Sequence, residues 1–359
     1  MFKNRKLIAA LITLVLILAT LAGCGGNQAA PAPAPEAPPA QEATPAPPAE
    51  EADPEDETIR IGYVCNFMDH EWYQNVTAGA LRRAEELGVI LEVADSSLDS
   101  ALQITLAENM IAQGVDVLAL TPVDAPTLTT IVADALAQGI KVITESNPVT
   151  GALTNVGADN FASGRLAGVW MGEYALENDI ELRLLIVGFP NLEDCRLRVE
   201  GFLDGLASTG ADYVVRAEID SQGTLELALS LGTDALTANQ DVNAIFGIND
   251  DSTMGAVQAY INIGLDTDEL IAVTFGLEGV VGREALLGDS PIIAGVAMFP
   301  DFVGAAIVDA AIAVMQGGAV PAQWQTPTIV LTAETYRDFY TQNGDVWEMN
   351  FAAIDALMR

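Results

Sequence analysis

The sequence predicts an α/β protein of parallel sheets wrapped by helices, and three observations predict it. From Thr58 onward, short β-branched runs alternate with helix-length amphipathic segments almost to the end of the chain. Those runs are too numerous for one ordinary sheet and suit two. Half of the 359 residues are apolar, enough to bury two cores and to exclude disorder for most of the chain.

The elements follow in order. Lys3, Arg5 and Lys6 precede the apolar run "LIAALITLVLILATLA", which "LAGC" closes at Leu21 to Cys24. A cationic segment, an apolar segment and small residues before a cysteine form an export signal over residues 1–23. At about 16 residues the apolar run is shorter than the roughly 20 of a membrane span. "LAGC" resembles the bacterial lipobox, and the resemblance implies that Cys24 becomes the lipidated first residue of a mature chain anchored outside the cytoplasm to the bacterial cell membrane. Residues 24–57 are dominated by proline, alanine and acid, a composition that builds no core and reads as a semi-rigid tether.

Strands are expected at 59–64 (IRIGYV), 90–95 (ILEVAD), 115–120 (VDVLAL) and 141–144 (KVIT). A second series is expected at 182–188 (LRLLIVG), 212–218 (DYVVRAE), 243–248 (NAIFGI), 270–275 (LIAVTF) and 292–298 (IIAGVAM). In "SALQITLAENMIAQG", Leu102, Leu106, Met110 and Ile111 share a face before Gly114; in "APTLTTIVADALAQG", Leu128, Ile131, Val132 and Leu136 share one before Gly139. Between the two series a turn-rich piece gives way to a helix from about Phe161. The tail "TYRDFYTQNGDVWEMNFAAIDALMR" reads as a helix packed on the second sheet. Ligands gather at the carboxyl ends of parallel strands, where the strand order reverses. The turn "NFMDHEWYQNV" lies at such an end and holds His70, the chain's one histidine, with Trp72 and Tyr73.

Acidic residues number 50 against 15 lysines and arginines, a net charge of −35. Nucleic acid is excluded as a partner, since phosphate binding needs clustered cations and none follow the first six residues. Neither G-x-x-x-x-G-K-[ST] nor G-x-G-x-x-G opens a helix, G-x-S-x-G is absent, and one histidine cannot furnish H-E-x-x-H. His70 without a positioned nucleophile does not make an enzyme. "DTDE" at Asp266 to Glu269 lacks the calcium-loop spacing, so no metal or cofactor is expected. Beyond Cys24, Cys65 and Cys195 read as two unpaired thiols, with one disulfide as the alternative. In "GINDDSTMGAV", Asp251 or Ser252 is expected to cap a helix, which leaves Asn249 to face a ligand.

The succession "IRIGYVCNFMDHEWYQNVTAGALRRAEELG", "VDVLALTPVDAPTLTTIVADALAQGIKVIT", "VGADNFASGRLAGVWMGEYA", "CRLRVEGFLDGL" and "AIFGINDDSTMGAVQAY" resembles the type I periplasmic binding proteins for sugars. The similarity runs from about Ile59 to Val330 in unbroken order. It implies two doubly wound, Rossmann-like parallel-sheet lobes joined by three crossings, lobe 1 being 58–158 plus 299–327 and lobe 2 being 159–298 plus 328–359. Repressors that share this fold carry a basic helix-turn-helix in front, where this chain has its lipobox and acidic tether.

Carried over by position, the resemblance implies that Trp72 and Tyr73 stack on a sugar ring beside His70, that Arg196 of "CRLRVEGF" and Asn249 bond hydroxyls, and that Phe275 lines the pocket. The chain departs from the ribose pattern where Ser146 and Asn147 replace an Asp-Arg pair, where Gly276 replaces an aspartate, and where Met298 replaces a polar residue. Unpaired hydroxyls in a closed cleft cost about 1–3 kcal/mol each, so the expected ligand is a small neutral sugar or sugar-like compound that need not be ribose or glucose, with a less hydroxylated or larger ring as the alternative. The resemblance implies a monomeric solute-binding protein that delivers its ligand to an ABC permease; the alternative is a sensor signalling to a membrane histidine kinase or chemoreceptor.

Overall fold

A β-branched run buried on both faces makes a strand, and an amphipathic run between two of them makes the crossover helix that covers the sheet. The computed structural model describes residues 58–344 and 346–358; the expected signal segment, Cys24 and the tether lie outside the described residues. The first series is β1 (Arg60–Cys65), α1 (Glu71–Leu87), β2 (Ile90–Asp95), α2 (Ser100–Ala112), β3 (Val117–Leu120), α3 (Thr129–Ala137), β4 (Lys141–Glu145) and β5 (Asn155–Gly157). The second is α4 (Asn160–Glu177), β6 (Leu182–Gly188), α5 (Glu193–Thr209), β7 (Tyr213–Asp220), α6 (Leu225–Ala238), β8 (Ala244–Gly247), α7 (Asp250–Asn262), β9 (Ile271–Gly276), α8 (Val280–Leu287) and β10 (Ile292–Ala297). The chain then returns through α9 (Pro300–Met315) and β11 (Gln323–Gln325) before β12 (Ile329–Thr332).

The first sheet has the order β11-β5-β4-β3-β1-β2 and the second β12-β10-β9-β8-β6-β7. Every pairing is parallel except β12 on β10. The chain therefore passes between the sheets three times, before α4, before α9 and between β11 and β12. Strand order reverses at β1 in one sheet and at β6 in the other, which puts the switch points at the loops entering α1 and α5.

Each sheet is buried on both faces. Ile61, Tyr63 and Cys65 face α1 and α9, whose Val76, Ala80, Val303 and Ile307 complete that core, while Val64, Leu118, Leu120 and Val142 face Ala107, Met110, Ile131 and Val132 of α2 and α3. In the second sheet Leu184, Ile186, Phe246 and Val273 meet Met171, Phe202 and Leu206 of α4 and α5. Leu185, Val187 and Ile245 meet Ala228, Leu236 and Tyr260 of α6 and α7. Helices α4 and α5 approach closely because Gly168 and Gly201 carry no side chain: a methyl on either would overlap the carbonyl of Phe202 or Phe161.

Several expectations change. Leu102 is exposed and Gln103 is buried in its place, because Gln103 donates to the Thr121 carbonyl at 2.7 Å and accepts from the Val123 amide at 2.9 Å, satisfying the backbone where β3 ends. Strand β5 hides in the turn-rich piece. The tail is not one helix: it folds as α10 (Tyr336–Phe339), the hairpin β13 (Tyr340–Asn343) and β14 (Val346–Met349), and α11 (Phe351–Ala356). It packs on both lobes. The Tyr336 hydroxyl donates to the Leu277 carbonyl at 3.0 Å and Arg283 of α8 lies 5.8 Å from the Trp347 ring, while Arg82 of α1 lies 5.2 Å from the Phe351 ring.

Candidate functional site

The residues of interest collect where the two switch points face each other. Strand β1 ends at Cys65, and His70 caps α1, its Nδ1 accepting from the Trp72 amide at 3.2 Å. Trp72 is half-buried and packs against the core clusters of both lobes. Tyr73 sits beside it, its hydroxyl accepting from Asn66 Nδ2 at 3.0 Å, with its ring 6.1 Å from that of His70. Burial lowers the His70 pKa, and Asp251 of lobe 2 pulls it back up more than Glu71 does.

From β4 comes Glu145, only 2% exposed, which accepts a hydrogen bond from Thr121 Oγ1 at 2.8 Å. Ser146 follows in a left-handed conformation at φ 66°, and its hydroxyl lies 3.5 Å from Asp194 Oδ2 of α5, across from one lobe to the other. Burial raises Glu145 to about 7 against the bond from Thr121; Asp194 raises it further and Arg198 lowers it. Asn147 is half-buried beside Ser146.

Arg196 does not join this group. Its guanidinium pairs with Glu200 at 2.7 Å on the exposed face of α5. Two residues along a helix turn the side chain through about 200°, so Arg198 faces inward instead. Arg198 donates from Nε to Asn160 Oδ1 and from Nη1 to the Ile248 carbonyl, both at 2.9 Å, and stands 3.7 Å from Asp194 Oδ2. Its guanidinium carbon lies 5.2 Å from the ring centroid of Phe275. Of the two arginines in "CRLRVEGF", the structure thus turns Arg198 inward and Arg196 outward. The spacing Cys195, Arg198, Phe202 marks the buried face of α5 and was the available signal.

Asn249 is also not spare. It is the N-cap of α7, its Oδ1 accepting from the Ser252 amide at 2.9 Å while its Nδ2 donates to the Gly223 carbonyl at 2.9 Å. Both of its polar atoms are thereby occupied, and the next residue, Asp250, accepts from Thr274 Oγ1 at 3.0 Å and from the Leu277 amide at 2.9 Å. A methyl on Gly276 would stand 2.7 Å from Asp250 Oδ2, so that carboxylate occupies the space beside Gly276. Burial raises Asp250 to about 7. Phe275 and Met298 are core residues, 1% and 6% exposed, in the cluster that Trp72 packs against.

Cys65 and Cys195 are free and buried, and burial pushes both thiols up to about 12, which keeps them protonated. Among the described residues no group of three or more His, Cys, Asp or Glu side chains is placed to hold a metal ion. Aromatic faces, one guanidinium and several carboxylates, gathered between two lobes, are the chemistry of binding a small polar ring.

Residues 61–319, well over half of the chain, match the family model of the periplasmic binding protein domain. The ribose import binding protein of Salmonella typhimurium is 27% identical over 266 residues, covering 74% of this chain and 87% of that protein. An ABC transporter solute binding protein of Mycobacterium smegmatis, solved with bound glycerol, is 26% identical at a TM-score of 0.71 and covers 80% of this chain and 98% of its own. A periplasmic solute binding protein of Actinobacillus succinogenes with bound D-allose shares the fold at 23% identity and a TM-score of 0.71, over 79% of this chain and 100% of its own.

Proposed function

The chain belongs to the family of periplasmic binding proteins, and from that premise we propose that it is a lipid-anchored solute-binding protein of an ABC importer, capturing a sugar-like ring between its lobes by hinge closure. The family works outside the cytoplasm as a non-enzymatic transport component. One observation carries the reading for this chain: Trp72, at the switch point of lobe 1, packs against the cores of both lobes, where a ring entering the cleft would meet it. In this reading Trp72 and Tyr73 stack on the ring, His70, Ser146, Asn147 and Arg198 bond its edge, and Phe275 and Met298 underlie it. Asn249 serves by holding α7 in place. The acidic tether and Cys24 keep the chain at the membrane surface, where a permease takes the ligand.

Thermal-shift screening of the full chain against pentoses, hexoses, deoxy sugars, polyols and nucleosides tests the proposal. A true ligand raises the midpoint with concentration, as mass action requires. Trp72→Ala and Arg198→Ala each remove that rise. A ligand whose effect survives both substitutions binds elsewhere, and the cleft assignment is then wrong.

A further inference from the structure

The cleft's charge is unbalanced in a way that specifies its ligand further. Two carboxylates are sealed there: Glu145 at 2% exposure and Asp194 at 7%. Thr121 Oγ1 donates to Glu145 Oε2 and is itself within 2.8 Å of the Tyr63 hydroxyl; among the described residues no hydrogen bond reaches the other oxygen of Glu145. The groups around Glu145 are Tyr63 and Cys65 of β1, Tyr73 of α1, and Asp194 and Arg198 of α5. Arg198 is the positive charge among them, and its guanidinium is already shared by Asn160, the Ile248 carbonyl, Asp194 and the face of Phe275.

A ligand made only of hydroxyls would leave the Glu145 carboxyl either holding its proton or ionised with no charge to compensate its lost water, and so gains nothing from the carboxylate. An ammonium group supplies that charge and three donors for the free acceptor positions. The net charge of −35 also draws cations toward the protein from outside. Resting on the solute-binding reading above, we propose that the ligand is a polyhydroxylated ring bearing a protonated amine, its ammonium group held between Glu145 and Asp194 and its ring against Trp72 and Tyr73. Burial holds Glu145 at about 7, so below neutrality it is largely protonated. When the ammonium arrives, the Glu145 carboxyl loses its proton to buffer and the resulting carboxylate accepts the N–H donor. Binding of the amine is therefore coupled to proton release.

The test is calorimetry of the full chain at about pH 6, in two buffers of different ionisation enthalpy, with matched pairs of probes. The pairs are D-glucosamine against D-glucose, D-galactosamine against D-galactose, and an inosamine against myo-inositol. The expected result is that one amine binds about tenfold or more tightly than its parent and releases a fraction of a proton, while the parent releases none. Glu145→Gln, and separately Asp194→Asn, should each narrow that preference. A parent bound as tightly as its amine overturns the inference and leaves the carbohydrate reading standing. Binding of neither member of any pair overturns the inference, and the wider thermal-shift screen then decides the carbohydrate reading by itself.

Discussion

The guanidinium carbon of Arg198 lies 5.2 Å from the ring centroid of Phe275, so a charge on α5 is held against the core of the second sheet while its neighbour Arg196 points to solvent. Arg198→Ala should cost about 3 kcal/mol of stability, because it leaves Asn160 Oδ1 and the Ile248 carbonyl without their donor and the buried Asp194 without its counter-charge. Arg196→Ala breaks only an exposed i,i+4 pair and should change stability by less than about 0.5 kcal/mol. Urea denaturation of the two variants distinguishes them; equal losses would mean that the inward and outward arginines have been confused.

Stability should fall as pH rises through the slightly acidic range. Glu145 is raised from 4.5 to about 7 in the folded protein, so the native state holds its proton where the unfolded chain has lost it. The contribution is complete below about pH 4.5, declines between there and about pH 7, and is flat above. Wild type should lose about 3 kcal/mol relative to Glu145→Gln across that window. Asp250, raised from 3.8 to about 7, adds a parallel loss that both proteins share. Melts at about pH 4 and about pH 8 check the sign: a difference that stays constant would put Glu145 in water.

The tail should stabilise the folded chain directly. Tyr336 is fully buried against Leu277, Phe299 and Leu331, stacks on Tyr340 at 4.6 Å and receives the edge of Trp347 at 5.4 Å. Tyr336→Ala should cost about 3–5 kcal/mol, and Tyr336→Phe about 1 kcal/mol through the lost bond to the Leu277 carbonyl. Thermal unfolding measures both. A tail that merely hangs from β12 would show neither.

Thiol chemistry should follow burial. Cys65 and Cys195, both free with thiols raised to about 12, should resist a disulfide reagent in the native protein. Denaturant should expose two further reactive groups without prior reduction. If reductant were needed to reveal them, the two would be paired.

Much of this protein was legible because its signals are local and repetitive. The alternation of strand and helix needs only a period of two meeting a period of 3.6, and it fell where expected from β1 to β4 and from β6 to β10. Strand β5 was missed because three residues give too short a run, and the tail because its aromatic hairpin is held by tertiary packing and not by a periodic pattern. The aromatic turn at His70, Trp72 and Tyr73 was recognisable from composition and position. Glu145 was not, since a carboxylate at a strand end reads as a solvated edge until Thr121 and α5 are seen to enclose it.

By itself the sequence determined the fold class and the place of the aromatic turn, because hydrophobic periodicity is a property of neighbours along the chain, while the doubly wound order was what the resemblance of its motifs implied. Only the tertiary structure decided that Arg198 and not Arg196 turns inward, that Asn249 is consumed as a cap, and that Glu145 and Asp194 are sealed with one shared cation. Those outcomes depend on burial and on charges brought together from residues far apart in sequence, and burial is what converts a surface carboxylate into a specific demand on the ligand.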